Sequence, residues 1–243
     1  MIVTRFAPSP TGLLHLGSAY SALFAERAAR AAGGRFLLRI EDIDRTRCRP
    51  EFAAAIDEDL AWLGLRWERP VRVQSEHFAD YRAALARLED MALVYPCFCT
   101  RSEIMAEIAA AGGAPHGAEG PLYPGTCRRL SPEERAARPE LLGEAVRARK
   151  DAPTSYHLAV TVDDDLQGVT LVTRGEDLFA ATHLHRLLQA LLGLAVPEYH
   201  HHALLTGADG RRFAKRDRAL TLRALREAGR SAAEVRALAG FPG

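Results

Sequence analysis

The 243-residue sequence predicts an α/β protein built on a parallel sheet, with an irregular insertion in its middle and a short helical tail. Three observations predict it. Apolar runs of strand length alternate with helical runs at the spacing of strand–helix–strand crossovers. A stretch rich in Gly and Pro, "AAGGAPHGAEGPLYPGTC", then breaks that alternation. The last 27 residues, from Asp217 onward, return to helical composition and are split at Gly229.

Each element has its own reason. "IVTRF" reads as a short buried strand, and Leu13 to Ala32 is helical in composition until Gly33-Gly34 stops it. "RFLLRIEDID" has the apolar density of an interior strand and ends in a charge cluster. Pro50 suits the first turn of a helix carrying "EFAAAIDEDLAWLG", and a further helix is predicted over Phe78 to Met91. "YPCFCT" leads to another helix and then to the Gly/Pro-rich loop, which is long enough to suggest a function or a pin. From Ala145 the segments "AVRAR", "SYHLAVTVDDD" and "GVTLVTRGEDL" contain strand-like stretches. A helix over Phe179–Leu192 and an apolar strand near Ala203–Leu205 follow, and "GADGRRFAKRDR" reads as a tight turn with a basic loop.

Composition narrows the class. Hydrophobic residues at 48% and charged residues at 26% are ordinary for a soluble globular chain. A net charge of +1 excludes a global polycation, so a nucleic-acid surface would have to be local. "MIVTRFAPSP" has no basic segment followed by an apolar core, and no uncharged run nears the ~18 residues of a membrane span. A cytoplasmic protein is expected, with no membrane partner and as a monomer. The cysteines, Cys48, Cys97, Cys99 and Cys127, are then not expected to pair as disulfides.

The loop in "RFAPSPTGLLHLGS" joins a strand to a helix N-terminus, where free N–H groups and the helix dipole favour an anion. Gly12 and Gly17 would let a phosphate approach the backbone, and His15 could donate to it. About 200 residues later "RRFAKR" offers Lys215 and Arg216 on a basic loop. Together the two stretches resemble the ATP signatures of class I aminoacyl-tRNA synthetases, "HLGS" at His15–Ser18 the HIGH motif and "RFAKR" at Arg212–Arg216 the KMSKS motif. The resemblance implies a Rossmann-like catalytic domain in which His15 and Lys215 stabilise charge as a carboxylate displaces pyrophosphate. Gly12, His15, Gly17, Ser18, Lys215 and Arg216 would contact ATP, which brings magnesium. Three positions depart from the pattern: Ser18, Arg212 and Ala214.

"RFAPSPTG" and "RIEDIDRTR" further resemble the glutamate branch of that family. The resemblance implies that Arg5, Ala7 and Ser9 line a glutamate pocket and that Glu41 faces the substrate ammonium. Tyr156 in "SYHLAV" and Arg174 in "VTRGEDL" would complete it. The residue types suit the ligand, since a guanidinium grips a carboxylate through two parallel hydrogen bonds and an acid suits an amine.

Cys97-x-Cys99 and Tyr123-x-x-x-Cys127 supply three thiolates and a phenol. Zinc takes four tetrahedral ligands, and on chemistry alone His116 is the conservative fourth. The arrangement, however, resembles the zinc site of glutamyl-queuosine synthetases, which implies Tyr123 with His116 as substitute. One structural zinc per chain is expected, pinning the Gly-rich loop. Cys48 reads as structural. The histidines of "EYHHHALL" alternate faces of a strand and cannot all reach one ion, although His201 could lie near the nucleotide.

The resulting division is residues 1–95 and 145–216 as two halves of the catalytic domain, 96–144 as the zinc-binding insertion, and 217–243 as the tail. Those 27 tail residues are too few for the anticodon-reading region of a full glutamyl-tRNA synthetase. The short branch that makes glutamyl-adenylate from L-glutamate and ATP, then esterifies queuosine in tRNA(Asp), is the resemblance that fits. Two alternatives stay open: a minimal enzyme charging the tRNA 3′ end, and a non-catalytic paralogue that binds glutamate or adenylate.

Overall fold

The computed structural model describes residues 1–95, 98–99, 101–110, 116–117, 120–121, 125–137, 154–205 and 221–242. The chain forms two compact units, Met1–His77 with Val160–Gly243, and Phe78–Ala159.

The first unit opens with β1 (Val3–Phe6), α1 (Leu16–Ala31), β2 (Arg35–Ile40), α2 (Pro50–Trp62) and β3 (Glu68–Val73). β1 pairs in parallel with β2 in the register Arg5↔Leu37, and β2 pairs in parallel with β3. The expected first helix starts three residues late, at Leu16, because Leu13 and Leu14 belong to the loop and His15, extended at φ −118° and ψ 175°, is its N-cap. Leu16, Ala19, Ala22, Leu23 and Ala29 are buried along one face of α1, the spacing of an amphipathic helix. Its alanines let the helix lie close to the sheet, so that Thr4 Oγ1 donates to Ala25 O at 2.8 Å. Gly33 takes φ 59° to end the helix, and a Cβ on Gly34 would collide with the Ile2 carbonyl. β3 was not legible in the sequence: "ERPVRV" carries a proline and three charges, which only an edge strand tolerates.

The chain returns to this unit within α6 (Tyr156–Leu166), followed by β6 (Leu171–Gly175), α7 (Phe179–Leu192) and β7 (Glu198–His202). β6 and β7 are parallel neighbours. β6 stands beside β1, where Thr170 N donates to Val3 O at 3.0 Å and Val3 N donates to Thr170 Oγ1 at 2.8 Å. The strand order is therefore β3-β2-β1-β6-β7, and the chain reverses direction across the sheet between β1 and β6. In open parallel sheets that reversal leaves a crevice at the carboxyl ends of the two strands.

Two expectations change here. "SYHLAVTVDDD" is a helix rather than a strand: its β-branched residues suit either, but Leu158 through Asp164 are buried without a break, all round the helix. The last strand is Glu198–His202, not Ala203–Leu205, because the histidine run pairs with β6 along its whole length.

The tail helices α8 (Leu222–Glu227) and α9 (Ala232–Leu238) are separated at Gly229, as expected, with φ 80°. They belong to the core. Leu222, Val235, Ala239 and Phe241 cluster with Leu16, Leu23, Leu38, Ile56 and Leu60. Truncating one such fully buried leucine to alanine costs about 2–5 kcal/mol. Arg236 NH1 also caps α2 by donating to Leu63 O at 3.0 Å, and Arg226 pairs with Glu58 at 3.0 Å.

The second unit contains α3 (Phe78–Asp90), α4 (Arg101–Ala110), and a two-stranded antiparallel ladder of β4 (His116–Gly117) and β5 (Gly120–Pro121). A short turn of helix over Thr126–Arg129 and α5 (Pro132–Ala136) follow. "AVRAR" lies outside the described residues. Among the described residues no helix is long and apolar enough to cross a membrane.

Candidate active site

Three of the residues singled out in the sequence, Arg5, Glu41 and Arg174, stand at the carboxyl ends of β1, β2 and β6. Arg5, near the end of β1, is buried and donates through Nε to Asp164 Oδ1 at 3.0 Å. Arg39, on β2, is fully buried and reaches the same oxygen through NH1 at 2.8 Å. Its other nitrogens hold Glu41 Oε1 at 3.1 and 3.3 Å. Asp163 receives Arg72 Nε at 2.7 Å and Gln74 Nε2 at 2.8 Å. Three guanidinium groups thus face three carboxylates, and Glu41 is joined to Arg5 through Arg39 and Asp164.

This arrangement sets the protonation of its members. Burial pushes the Glu41 carboxyl up to about 7, against the pull of Arg39 and Arg5. For Asp164 burial also works upward, but Arg5 and Arg39 outweigh it and hold the group below the usual carboxylate range. Burial opposes the charge on Arg39, yet Asp164, Glu41 and Asp163 raise its pKa further. Glu41 is therefore poised to change charge near neutrality, whereas Asp164 stays ionised.

Arg174 ends β6 and is also buried. It donates through NH1 to His185 Nδ1 at 3.1 Å, through Nε to His201 Nε2 at 3.4 Å, and through NH2 to Thr182 Oγ1. Arginine only donates, so these nitrogens of His185 and His201 must be unprotonated acceptors. Burial, then the charge of Arg174, lowers the His201 pKa and agrees with a neutral ring. Arg5 NH1 approaches Thr173 O at 3.4 Å, next to Arg174 in the chain, and so links the two arginine clusters.

His15 sits where the N-terminus of α1 meets the end of β1. Its Nδ1 accepts from Ser18 N at 3.2 Å, which assigns the proton of the neutral ring to Nε2. Ser18 returns the contact, its Oγ accepting from His15 N at 3.5 Å to complete a capping box. A serine at this position therefore holds the preceding histidine. Gly17 has a steric reason: a Cβ there would lie 3.1 Å from His15 Cε1 and 3.2 Å from Nδ1. At Gly12 a Cβ would meet no protein atom within 4 Å, leaving open space over the loop. Glu41 N donates to Pro8 O at 3.0 Å and Arg49 N to Pro10 O at 3.0 Å, so the loop rests on the segment after β2.

The other predicted residues are placed as follows. Ala7 is half-buried and Ser9 exposed on the loop after β1. Tyr156 belongs to the second unit, 37% exposed in the first turn of α6, its ring edge-on to His157. Lys215 and Arg216, with Arg212 and Ala214, lie outside the described residues, as do Cys97 and Tyr123. In the second unit Cys99 Sγ and Cys127 Sγ are 3.3 Å apart, Cys127 is buried, and Phe98 N donates to its sulfur at 3.2 Å. Among the described residues no three metal-ligating side chains are gathered. His200 stacks on Phe24 and His202 meets Tyr20 edge-on, while His201 turns to Arg174.

Sequence reasoning did not assign Arg39, Asp164, Thr182 or His185 to the site. Arg39 carried a signal, a charge inside the apolar run "RFLLRI", since a buried charge must find partners. Asp164 was hidden by the strand reading of its helix.

The whole chain has relatives. It matches the family of tRNA synthetases class I (E and Q), catalytic domain, over residues 1–155 and 138–237. It is 47% identical to a glutamyl-Q tRNA(Asp) synthetase of Rhodobacter capsulatus, covering 99% of this chain and 100% of that protein. With the protein of the same name from Symbiobacterium thermophilum it shares 46% identity over 95% of this chain and 83% of the other. Among solved structures, a glutamate tRNA ligase from Elizabethkingia meningosepticum in complex with its amino acid superposes with a TM-score of 0.69 at 27% identity. That match covers 89% of this chain and 52% of the ligase, so the chain spans about half of that longer structure. The reversed sheet, the capped histidine at its crevice and identity along nearly the full length agree: the chain belongs to the glutamyl-Q tRNA(Asp) synthetases, within the class I tRNA synthetase family for E and Q.

Proposed function

We propose that the protein activates L-glutamate with ATP and magnesium to glutamyl-adenylate and then transfers the glutamyl group to queuosine in tRNA(Asp). The observation that carries the reading is the pairing of Arg5 and Glu41 in one charge-balanced cluster with Arg174 beside it. That is the donor set an amino acid with two carboxylates and one ammonium requires.

In the first step a carboxylate oxygen of glutamate attacks the α-phosphorus of ATP, and pyrophosphate leaves. The arginines orient the carboxylates, Glu41 as carboxylate receives the ammonium, and Ala7 and Ser9 complete the pocket. His15 donates from Nε2 to the phosphates, and Gly12, Gly17 and Ser18 let the α1 N-terminus approach them. Lys215 and Arg216 neutralise the charge that develops on the departing pyrophosphate. In the second step a hydroxyl oxygen of the cyclopentenediol attacks the activated carbonyl carbon, its proton is lost, and AMP leaves. ATP and tRNA as substrates make the cytoplasm the place of work.

We further propose a structural zinc held by Cys97, Cys99, Tyr123 and Cys127, with His116 the substitute for the tyrosine. The Cys99–Cys127 separation of 3.3 Å supports this. It is far longer than the ~2.05 Å of a disulfide and near the ~3.8 Å between two thiolates on a tetrahedral zinc. The ion would supply a cross-link and no chemistry, since its four positions would be filled.

The test uses labelled glutamate, ATP and magnesium with tRNA(Asp) that contains or lacks queuosine. Label confined to the queuosine-containing sample is expected. Equal label on both, abolished by prior periodate treatment of the 3′ end, would make this a minimal charging enzyme instead. A 39% identical relative of Nitrosococcus oceani named glutamate–tRNA ligase 2 motivates that arm. Glutamate-dependent pyrophosphate exchange that is absent would leave a non-catalytic paralogue, and exchange unchanged by Lys215→Ala would refute the role given to that lysine.

A further inference from the structure

A file of rings leads outward from Arg174. Its guanidinium lies 5.3 Å from the Tyr199 ring, and Tyr199 is stacked with His201 at 6.3 Å and 6°. His201 in turn meets Phe179 at 5.1 Å and 72°, and Phe179 meets His183 at 5.6 Å and 90°. Tyr199 and His201 are partly buried, whereas Phe179 is 56% exposed. Phe179 is the first residue of α7, four positions beyond the carboxyl end of β6. A large apolar ring is thus presented at the same end of the sheet as the carboxylate-gripping arginine. Among the described residues neither of its ring contacts is a face-to-face stack, so both hold the side chain without using it up as a platform.

Resting on the function proposed above, we infer that Phe179 is the stacking platform for the base of the acceptor nucleoside. Transfer requires that a nucleoside come within bonding distance of a carbonyl carbon held near Arg174. A base carries a flat π-face, and stacking on an exposed aromatic side chain is the usual way proteins hold an unpaired one. His201 fixes both ends of the arrangement: its Nε2 accepts from Thr182 Oγ1 at 2.9 Å and from Arg174, while its ring supports Phe179. Occupancy by the acceptor base would place the nucleoside beside the activated glutamate without any contribution to forming it.

The experiment compares wild type, Phe179→Ala, Phe179→Leu and Phe179→Tyr in two assays: glutamate-dependent pyrophosphate exchange, and transfer of labelled glutamate to tRNA(Asp) containing queuosine. Exchange is expected to stay within about twofold in all three variants, which also shows that they fold. Transfer by the Ala and Leu variants should fall about five- to a hundredfold in kcat/KM for tRNA, the usual worth of one stacked base, and Tyr should restore it. Exchange and transfer falling together would overturn the proposal, because the ring would then serve ATP, glutamate or the fold. Wild-type transfer that Phe179→Ala matches would overturn it alone. A wild type that exchanges pyrophosphate but transfers nothing to this tRNA refutes the acceptor reading first, and the platform with it.

Discussion

Replacing Asp164 by Asn tests the buried charge cluster directly. Asp164 Oδ1 accepts from both Arg5 and Arg39, at 3.0 and 2.8 Å, and its side chain is about 5% exposed. Asn keeps the shape and an acceptor oxygen but removes the charge. Each bond then changes from charge-assisted to ordinary on the acceptor side, a loss of about 1 kcal/mol apiece. One guanidinium also loses its counter-charge, and breaking a buried pair from one side costs about 3–5 kcal/mol in all. Glu41 limits the damage: Asp164 is among the groups that raise its pKa, so without Asp164 the Glu41 carboxyl ionises more readily and returns part of the missing charge. A loss near the lower end, about 3 kcal/mol, is expected at pH 7.5. Both tryptophans, Trp62 and Trp67, lie in the first unit, so urea unfolding followed by tryptophan fluorescence reports that unit. The Asp164 contribution is present above the ~3.9 of an unfolded aspartate and is lost as pH falls through its lower folded value. The difference between wild type and variant must therefore shrink in acid. A loss within about 0.5 kcal/mol, the range of ordinary surface changes, would refute the cluster as described. The KM for glutamate should rise too, because Arg5 loses the partner that aims it.

Three further outcomes follow from the site. Glu41, with its carboxyl near 7, must be ionised to hold an ammonium, so the KM for glutamate should rise about tenfold per pH unit below 7; Glu41→Gln should flatten that profile, and a flat wild-type profile between pH 8 and 6 would sink the assignment. Gly17→Ala should push the His15 ring off the Ser18 amide, reducing pyrophosphate exchange at least tenfold against the roughly 100- to 1,000-fold expected for losing a preorganised donor. Its stability should change by less than about 1 kcal/mol, since the lost cap and the gained helix propensity oppose each other, and full activity would show that His15 tolerates displacement. Metal analysis of protein purified without chelator should find about one zinc per chain, and Cys127→Ser should find none while the tryptophan signal stays native; a metal-free wild type would remove the site.

Much of this was legible in the sequence where local chemistry decides. Pro50 and Gly33-Gly34 mark helix ends, and Phe179–Leu192 is a helix with the expected bounds. The alternation of the three histidines between faces follows from strand geometry alone, and His200 and His202 do pack on α1 while His201 turns away. What failed was decided by contacts distant in the chain. "VTVDDD" suits a strand until Arg5, Arg39 and Arg72, arriving from β1, β2 and β3, neutralise two of its acids in a fully buried helix. β3 becomes a strand only because β2 offers an edge that its proline can accept. Arg5, Glu41 and Arg174 were named from a motif, but the group that joins the first two, Asp164, stands more than a hundred residues from either.

The pairing of the tail with the first loop has a consequence for loop mechanics. Leu222 N donates to Leu14 O at 2.9 Å and Thr221 bridges His15, while Leu222 and Leu205 enter the same apolar cluster. The N-cap of α1 is consequently held from two sides, by its own first turn and by a segment more than two hundred residues away in the chain. A loop moored at both ends samples a far smaller volume than a free arm, so the direction of the His15 ring is set in part by the tail. The two short tail helices are the far mooring, since Val235 and Phe241 share the cluster of Leu14 and Leu16. Loosening them, by substitutions in Val235 or Phe241, would blur the aim of the histidine rather than remove it.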